Sequence, residues 1–186
     1  MTSIFPDPSQ RPVLTLGHPI LRQVAQPVER VNDPALQHLI DQLLTTVGLA
    51  HGVGIAAPQM GTPLRVLVVA SRPNLRYPHA PTMAPTVLIN PSLVAASDDL
   101  ELGWEGCLSV PGVRGRVPRH REIEVAYLDR QGQPQRRVWE GFVARIFQHE
   151  TDHLEGILFT DRIQSETDLL SEDAYQALDM AALGGG

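Results

Sequence analysis

Two histidines four residues apart, with a glutamate directly after the first, are residue types that hold and use a metal ion. They are His149, Glu150 and His153, in QHETDHLEG at positions 148–156. On a helix, positions i and i+4 lie one turn apart on one face, so both imidazoles can aim a nitrogen at the same cation. Glu150 is turned away from direct ligation yet stands beside such an ion, where a carboxylate can take a proton from water. What completes the ligand set decides the class of chemistry.

One lineage of HExxH metallopeptidases extends the motif to HExxHxxGxxH. Here Gly156 falls on the glycine, but Phe159 stands where the third histidine belongs. Another lineage takes a glutamate from a later helix, and Glu166 and Glu172, in a short acidic stretch, are poor candidates for that role. The better third ligand lies upstream. Cys107 in WEGCLSVPG (104–112) sits between Gly106 and a Ser-Val-Pro-Gly run that reads as a turn. One thiolate and two imidazoles make a site for a borderline divalent ion and leave a position for water. A buried structural cysteine is the plain alternative.

These residues need a scaffold. Asp33 followed by Pro34 is a helix start, and Leu36, Leu39, Ile40, Leu43, Leu44 and Val47 repeat at helical spacing, ending near positions 48–52. Val13 to Leu16 reads as a short strand, GVGIAAPQ (52–59) as a glycine-punctuated extended segment, and Arg65 to Ala70 as a buried strand. Residues 71–86 hold four prolines and read as an irregular loop; Thr86 to Ala95 is extended, interrupted by Pro91. Glu122 to Leu128 and Gln135 to Trp139 flank a polar turn at Gly132, a hairpin. From Gly141 a partly buried helix carries the histidines and stops at Gly156. The expected fold is α+β: one compact domain over residues 1–186, with short, mainly antiparallel strands packed around a central HExxH-bearing helix, plus an early N-terminal helix. Its core spans about residues 13–163. Residues 164–186 form an acidic tail or a short docked helix built on Leu169, Leu170, Tyr175, Leu178 and Met180.

Composition removes whole classes of function. One cysteine among 186 residues forbids an internal disulfide and fits a reducing compartment. All fifteen basic residues are arginine, so neither a Schiff-base lysine nor a P-loop is available. A net charge of −6 argues against nucleic-acid binding, and no run is long enough to span a membrane. RGRVPRHR (114–121), with four arginines, reads as a solvated strand edge. The N-terminus lacks the order of a signal or transit peptide. The expected location is cytoplasmic, or organellar if the source is eukaryotic and a presequence is missing.

GVGIAAPQ, EGCLS and QHETDHL together resemble the three signature segments of the peptide deformylases, in the family's order and spacing over about residues 13–163. The resemblance implies that Cys107, His149 and His153 hold the metal. It also implies that Glu150 moves the proton, and that Gln59 and the Leu108 N–H stabilise the developing oxyanion. The substrate is then an N-formylmethionyl nascent peptide, from which water removes formate. Gly54 and its neighbours Val53 and Ile55 pair with the substrate backbone, with glycine 52 and 54 leaving room for it to approach. Glu105 and Gly106 flank the ligand cysteine on the substrate side. Val53, Phe142, Ile146 and the face of His149 wall the methionine pocket, and Arg114 touches the substrate backbone. Among supporting residues, Glu105 pairs with Arg145 to tie the cysteine loop to the helix, and Asp152 meets Arg119. Family members characteristically use ferrous iron (Fe2+) and accept zinc (Zn2+), nickel (Ni2+) or cobalt (Co2+), one ion per chain. Well-known bacterial members end in a basic helix that docks on the ribosome. The acidic end here lacks that charge and leaves ribosome contact open, with RGRVPRHR as a substitute surface. A zinc-type HExxH metallopeptidase and a metal-binding module without catalysis are the two rival functions.

Overall fold

The Asp33 side chain accepts the Ala35 N–H at 2.9 Å and Pro34 opens the first turn, so α1 (Pro34–Leu49) begins where its cap dictates. This is a computed structural model describing residues 12–74 and 76–183, with the side chains of 179–183 excepted. The first eleven residues of the expected domain, the Met180 side chain and the terminal glycines lie outside the described residues.

After α1 come β1 (Gly54–Ala56), β2 (Val66–Val69), β3 (Thr86–Ala96), β4 (Leu100–Cys107) and β5 (Val110–His120). Then follow β6 (Glu122–Leu128), β7 (Pro134–Glu140), the helix α2 (Gly141–Leu154), β8 (Leu169–Ser171) and α3 (Glu172–Leu183). The strands make two sheets, ordered β1-β2-β3-β6-β7 and β4-β5-β8, with every named pair antiparallel. The result is the α+β arrangement expected, with α2 at its centre.

β2 explains how the helices are placed. All four of its side chains are buried. Val66 and Val68 pack with Leu39, Leu43 and Val47 of α1, while Leu67 and Val69 pack with Ile146, Phe147 and Leu154 of α2. A strand covered on both faces carries no polar alternation, which is why it reads as an unbroken apolar run. Each such side chain contributes roughly 1.5–3 kcal/mol through burial. β3 bends where Asn90 takes a φ of 50° and Pro91 supplies no N–H, and the pairing register with β6 shifts between Ile89 and Ser92.

Three local expectations are corrected. Residues 13–16 belong to no strand: Leu14 N–H donates to the Gln59 carbonyl at 2.8 Å, Leu16 N–H to that of Ser109 at 2.7 Å, and a turn begins at Leu16. The Ser-Val-Pro-Gly run is not the turn. The chain reverses at Leu108 and Ser109, and β5 begins at Val110. RGRVPRHR is not a solvated edge either. Arg114 is 0% and Arg119 4% exposed, so only Arg116 and Arg121 are left to face outward. Arginines whose carboxylate partners arrive from distant segments can be buried, and local patterning does not reveal those partners. Of the segment's four arginines, the two facing outward pair with Asp168 and Asp99. At the C-terminal end β8 adds to β5, and α3 rests its Tyr175 ring 5.5 Å from that of Trp104. No helix among the described residues is long and apolar enough to cross a membrane.

Candidate metal centre

Cys107 is the last residue of β4, and α2 lies across it, so the hairpin turn and the helix meet at the sulfur. The ligating atoms of Cys107, His149 and His153 lie within 4.8 Å of one another, and all three residues are buried. Cys107 Sγ stands 3.3 Å from His153 Nε2 and accepts the Ser109 N–H at 3.4 Å. Gln59, in a 3-10 turn after β1, is pinned by the Ala56 N–H to its Oε1 at 2.8 Å. Its Nε2 is thereby aimed at Ser109 Oγ (3.1 Å) and Cys107 Sγ (3.6 Å). Leu108 follows the cysteine in the turn and lines the same cleft.

The electrostatics favour a cation. Burial alone would raise the Cys107 thiol, but the neighbouring imidazoles pull it well below its ordinary range. Burial alone would lower His149, yet the sulfur and Glu105 raise it well above the usual imidazole range. A thiolate among imidazoles with no metal therefore recruits a proton, and a divalent ion is the stronger replacement for that proton. Glu150 completes the fit. Its Oε2 is buried without a hydrogen-bond partner, and burial pushes its carboxyl up to about 7 against the downward pull of both histidines. An unpartnered carboxylate beside three convergent donors suits a proton acceptor for a metal-associated water, so the residues present fit the ion.

A second layer of charge orients the first. Glu105 is 3% exposed and accepts His149 Nδ1–H at 2.9 Å, which leaves Nε2 for the metal. The same carboxylate takes Arg119 Nε (2.9 Å), Arg119 Nη2 (3.0 Å) and Arg145 Nη1 (3.0 Å). Arg119 Nη1 reaches Asp152 at 2.6 Å, and Arg162 grips both oxygens of Asp152. His153 has no such carboxylate: its Nδ1 is buried and unpaired, and its one polar contact among the described residues is Nε2 to the Cys107 sulfur.

The expected substrate residues divide. Val53, Gly54, Phe142, Ile146 and His149 line one cleft with Glu150, Gln59 and Cys107. Ile55 does not join them. It alternates to the opposite face of β1 and is buried against α1. Arg114 also leaves the set, since it is fully buried and paired with Glu172 of α3 (Nε 2.9 Å, Nη2 3.0 Å). Glu105 lines the cleft wall, but all its acceptor capacity is spent on His149 and the two arginines. The glycine of position 54 makes room first for the protein itself: an added Cβ would lie 2.8 Å from Ile146 Cγ2 and closer still to Glu150 Oε1. Both rival ligand sets are closed off as well. Phe159 stacks on His149 with centroids 6.1 Å apart, Glu172 is occupied by Arg114, and Glu166 is exposed and outside the cluster of Cys107, His149 and His153.

Three cleft residues were not expected: Arg76, Tyr77 and Trp104. Tyr77 Oη accepts the Gly106 N–H at 3.1 Å and its ring lies 5.0 Å from Phe142. The only hint was an Arg-Tyr pair inside a proline-rich run, since a cation and an aromatic in a loop often face a ligand.

Residues 10–168 match the family model described as polypeptide deformylase. A peptide deformylase 2 of Nostoc sp. is 55% identical over 172 residues, covering 92% of this chain and 96% of its own. A class I type b peptide deformylase of Acinetobacter baumannii, solved with Met-Ala-Ser bound, superposes with a TM-score of 0.81 at 48% identity, covering 83% of this chain and 98% of that one. A Synechococcus elongatus peptide deformylase in complex with actinonin superposes with a TM-score of 0.74 at 42% identity, over 91% of this chain and 86% of that one.

Proposed function

Because this chain belongs to the peptide deformylase family, whose members are metal-dependent hydrolases, we propose that Cys107, His149 and His153 hold one divalent ion and that Glu150 carries the proton. The single observation behind this reading is that one sulfur and two imidazoles, drawn from β4 and α2, come within 4.8 Å of one another beside an unpartnered Glu150 oxygen. When bound, the ion supplies Lewis acidity, polarising the formyl group and making water nucleophilic at neutral pH. The family's characteristic use of ferrous iron makes that the cellular ion here, and the thiolate–imidazole donor set also accepts zinc, nickel or cobalt, which bind such donors more tightly.

The chain's own residues do the rest. Glu150 accepts a proton as the water oxygen bonds to the formyl carbon. The Gln59 amide and the Leu108 N–H donate to the carbonyl oxygen as it gains negative charge, and removing one such donor typically costs about a hundredfold or more. Glu150 then returns its proton to the methionine nitrogen, the C–N bond breaks, and formate leaves. Val53, Phe142 and Ile146 enclose the methionine side chain.

β1 and β4 are both edge strands, one of each sheet, and both border the cleft. A nascent chain entering as an added strand between them bonds through its backbone, so the enzyme accepts many sequences beyond the methionine. That role places the protein where translation occurs. The Met-Ala-Ser complex of the Acinetobacter relative accords with such a substrate.

The test is formate release from formyl-Met-Ala-Ser, with metal content measured alongside. Wild type releases formate; Glu150→Gln retains metal and loses activity; Cys107→Ser loses metal. An active Glu150→Gln enzyme, or a Cys107→Ser enzyme with unchanged metal and rate, overturns the assignment.

A further inference from the structure

Gly106 lies where two guanidinium groups crowd one face of β4. A Cβ there would come within 2.9 Å of Arg76 Nη2 and 3.1 Å of Arg114 Nε. The two cations are in different circumstances. Arg114 is buried, bidentate on Glu172, and held between the Tyr77 and Tyr175 rings at 4.9 and 4.8 Å. Its Nη1 is nonetheless buried with no hydrogen-bond partner. Arg76 lines the cleft, and its guanidinium makes no hydrogen bond or ion pair among the described residues; only its backbone N–H is bonded, to Asn74 Oδ1 at 2.9 Å.

Glu172 feels the charge of both cations, but Arg114 holds both of its oxygens. The other acids of the cleft offer Arg76 nothing. Glu105 is committed to Arg119, Arg145 and His149, and Glu150 packs against Gly54. A unit of positive charge is left over beside Gly106, one residue before the sulfur. A strand advances about 3.3 Å per residue, so a substrate lying along β4 carries the residues after its methionine past this point.

We propose that Arg76 is a specificity-determining residue that recognises an acidic side chain shortly downstream of the formyl-methionine. The proposal rests on the deformylase reading. Its signature is a ratio of rates on paired peptides, which a merely structural role of Arg76 does not move.

The experiment compares kcat/KM at low salt for C-terminally amidated formyl-Met-Glu-Ser and formyl-Met-Ala-Glu with their Gln counterparts. Wild type favours the acidic member of at least one pair by about two- to fivefold, the range of a partly solvated ion pair. Raising the salt shrinks that preference. Arg76→Gln abolishes it, Arg76→Glu reverses it, and Arg76→Lys restores part of it. Equal rates on acid and amide in wild type, or a preference that survives Arg76→Gln, overturns the proposal while leaving the deformylase reading intact. A preference seen only with unamidated peptides also overturns it, because the chain end and not a side chain is then recognised. If no peptide yields formate, the deformylase reading fails and this proposal falls with it.

Discussion

Replacing Glu105 by Gln removes one negative charge from a place where three cationic or protonated groups converge. Its carboxylate accepts four hydrogen bonds, two from Arg119, one from Arg145 and one from His149 Nδ1. Arg119 keeps Asp152 at 2.6 Å. Arg145 keeps only carbonyls, those of Glu101 (2.6 Å), Val117 (2.8 Å) and Gly103 (3.2 Å), and Glu105 is its one carboxylate among the described residues. A guanidinium that is 7% exposed then lacks a counter-charge. Breaking a buried pair from one side costs about 3–5 kcal/mol, and the surviving carbonyls put this case near about 3 kcal/mol. His149 loses the acceptor that fixes its tautomer, which typically weakens metal binding about 10- to 100-fold. Urea unfolding of metal-free protein reads the first effect, and competition against a chromophoric chelator reads the second. Acid does not imitate the substitution. Burial alone would raise the Glu105 carboxyl, but His149 and Arg119 hold it well below the ordinary range. Its contribution is therefore present above the ordinary carboxylate pKa and is lost only as pH falls far below it, so at about pH 5 the tether persists. A Glu105→Gln protein with wild-type metal affinity and unfolding midpoint refutes this account.

Glu150→Gln should lower kcat about 10²- to 10⁴-fold, and the wild-type acid limb of kcat/KM should fall at or below about pH 7, because the buried carboxyl must lose its proton and a bound cation lowers it further. In metal-free protein the raised value means that stability from this group is present below the unfolded carboxylate pKa and is lost as pH rises through about 7. Glu150→Gln removes that slope, roughly 3 kcal/mol between the two limits, measurable by denaturation across the range. Gln59→Leu should cost about a hundredfold in kcat with little change in metal content, since the amide acts on the developing oxyanion; a change confined to KM contradicts this. Gly54→Ala should destabilise by about 1–3 kcal/mol and depress kcat together, because the new methyl displaces Ile146 and Glu150; calorimetry with unaltered melting argues against it.

Much of this site was legible before the fold was known, for local reasons. The Asp33 cap, the α1 stripe and the i, i+4 histidines each express themselves within a few residues, and so does the β6–β7 hairpin. What stayed hidden depends on distant partners. Arg114 looks like a surface cation until Glu172 arrives from 58 positions away, and for Arg119, whose contact with Asp152 was expected, the two-toothed hold on Glu105 was not. The side on which Ile55 falls depends on which sheet face receives α1. Tyr77 was obscured by the prolines around it, which identify a loop without saying what the loop covers. One clue was available throughout: the chain uses arginine alone for its positive charge, and the planar fork of that side chain suits the buried two-toothed pairs that the structure contains.

The pairing of Arg114 with Glu172 bears on the protein's own birth. Synthesis delivers a polypeptide from its first residue onward, and folding proceeds as segments emerge. Until the stretch holding residue 172 is released, the guanidinium inside the β4–β5 hairpin has no anion and stays wet, and the Tyr77 ring that leans on it lacks a fixed support. The catalyst that trims fresh chains thus completes its own cleft wall only after residue 172 has left the ribosome.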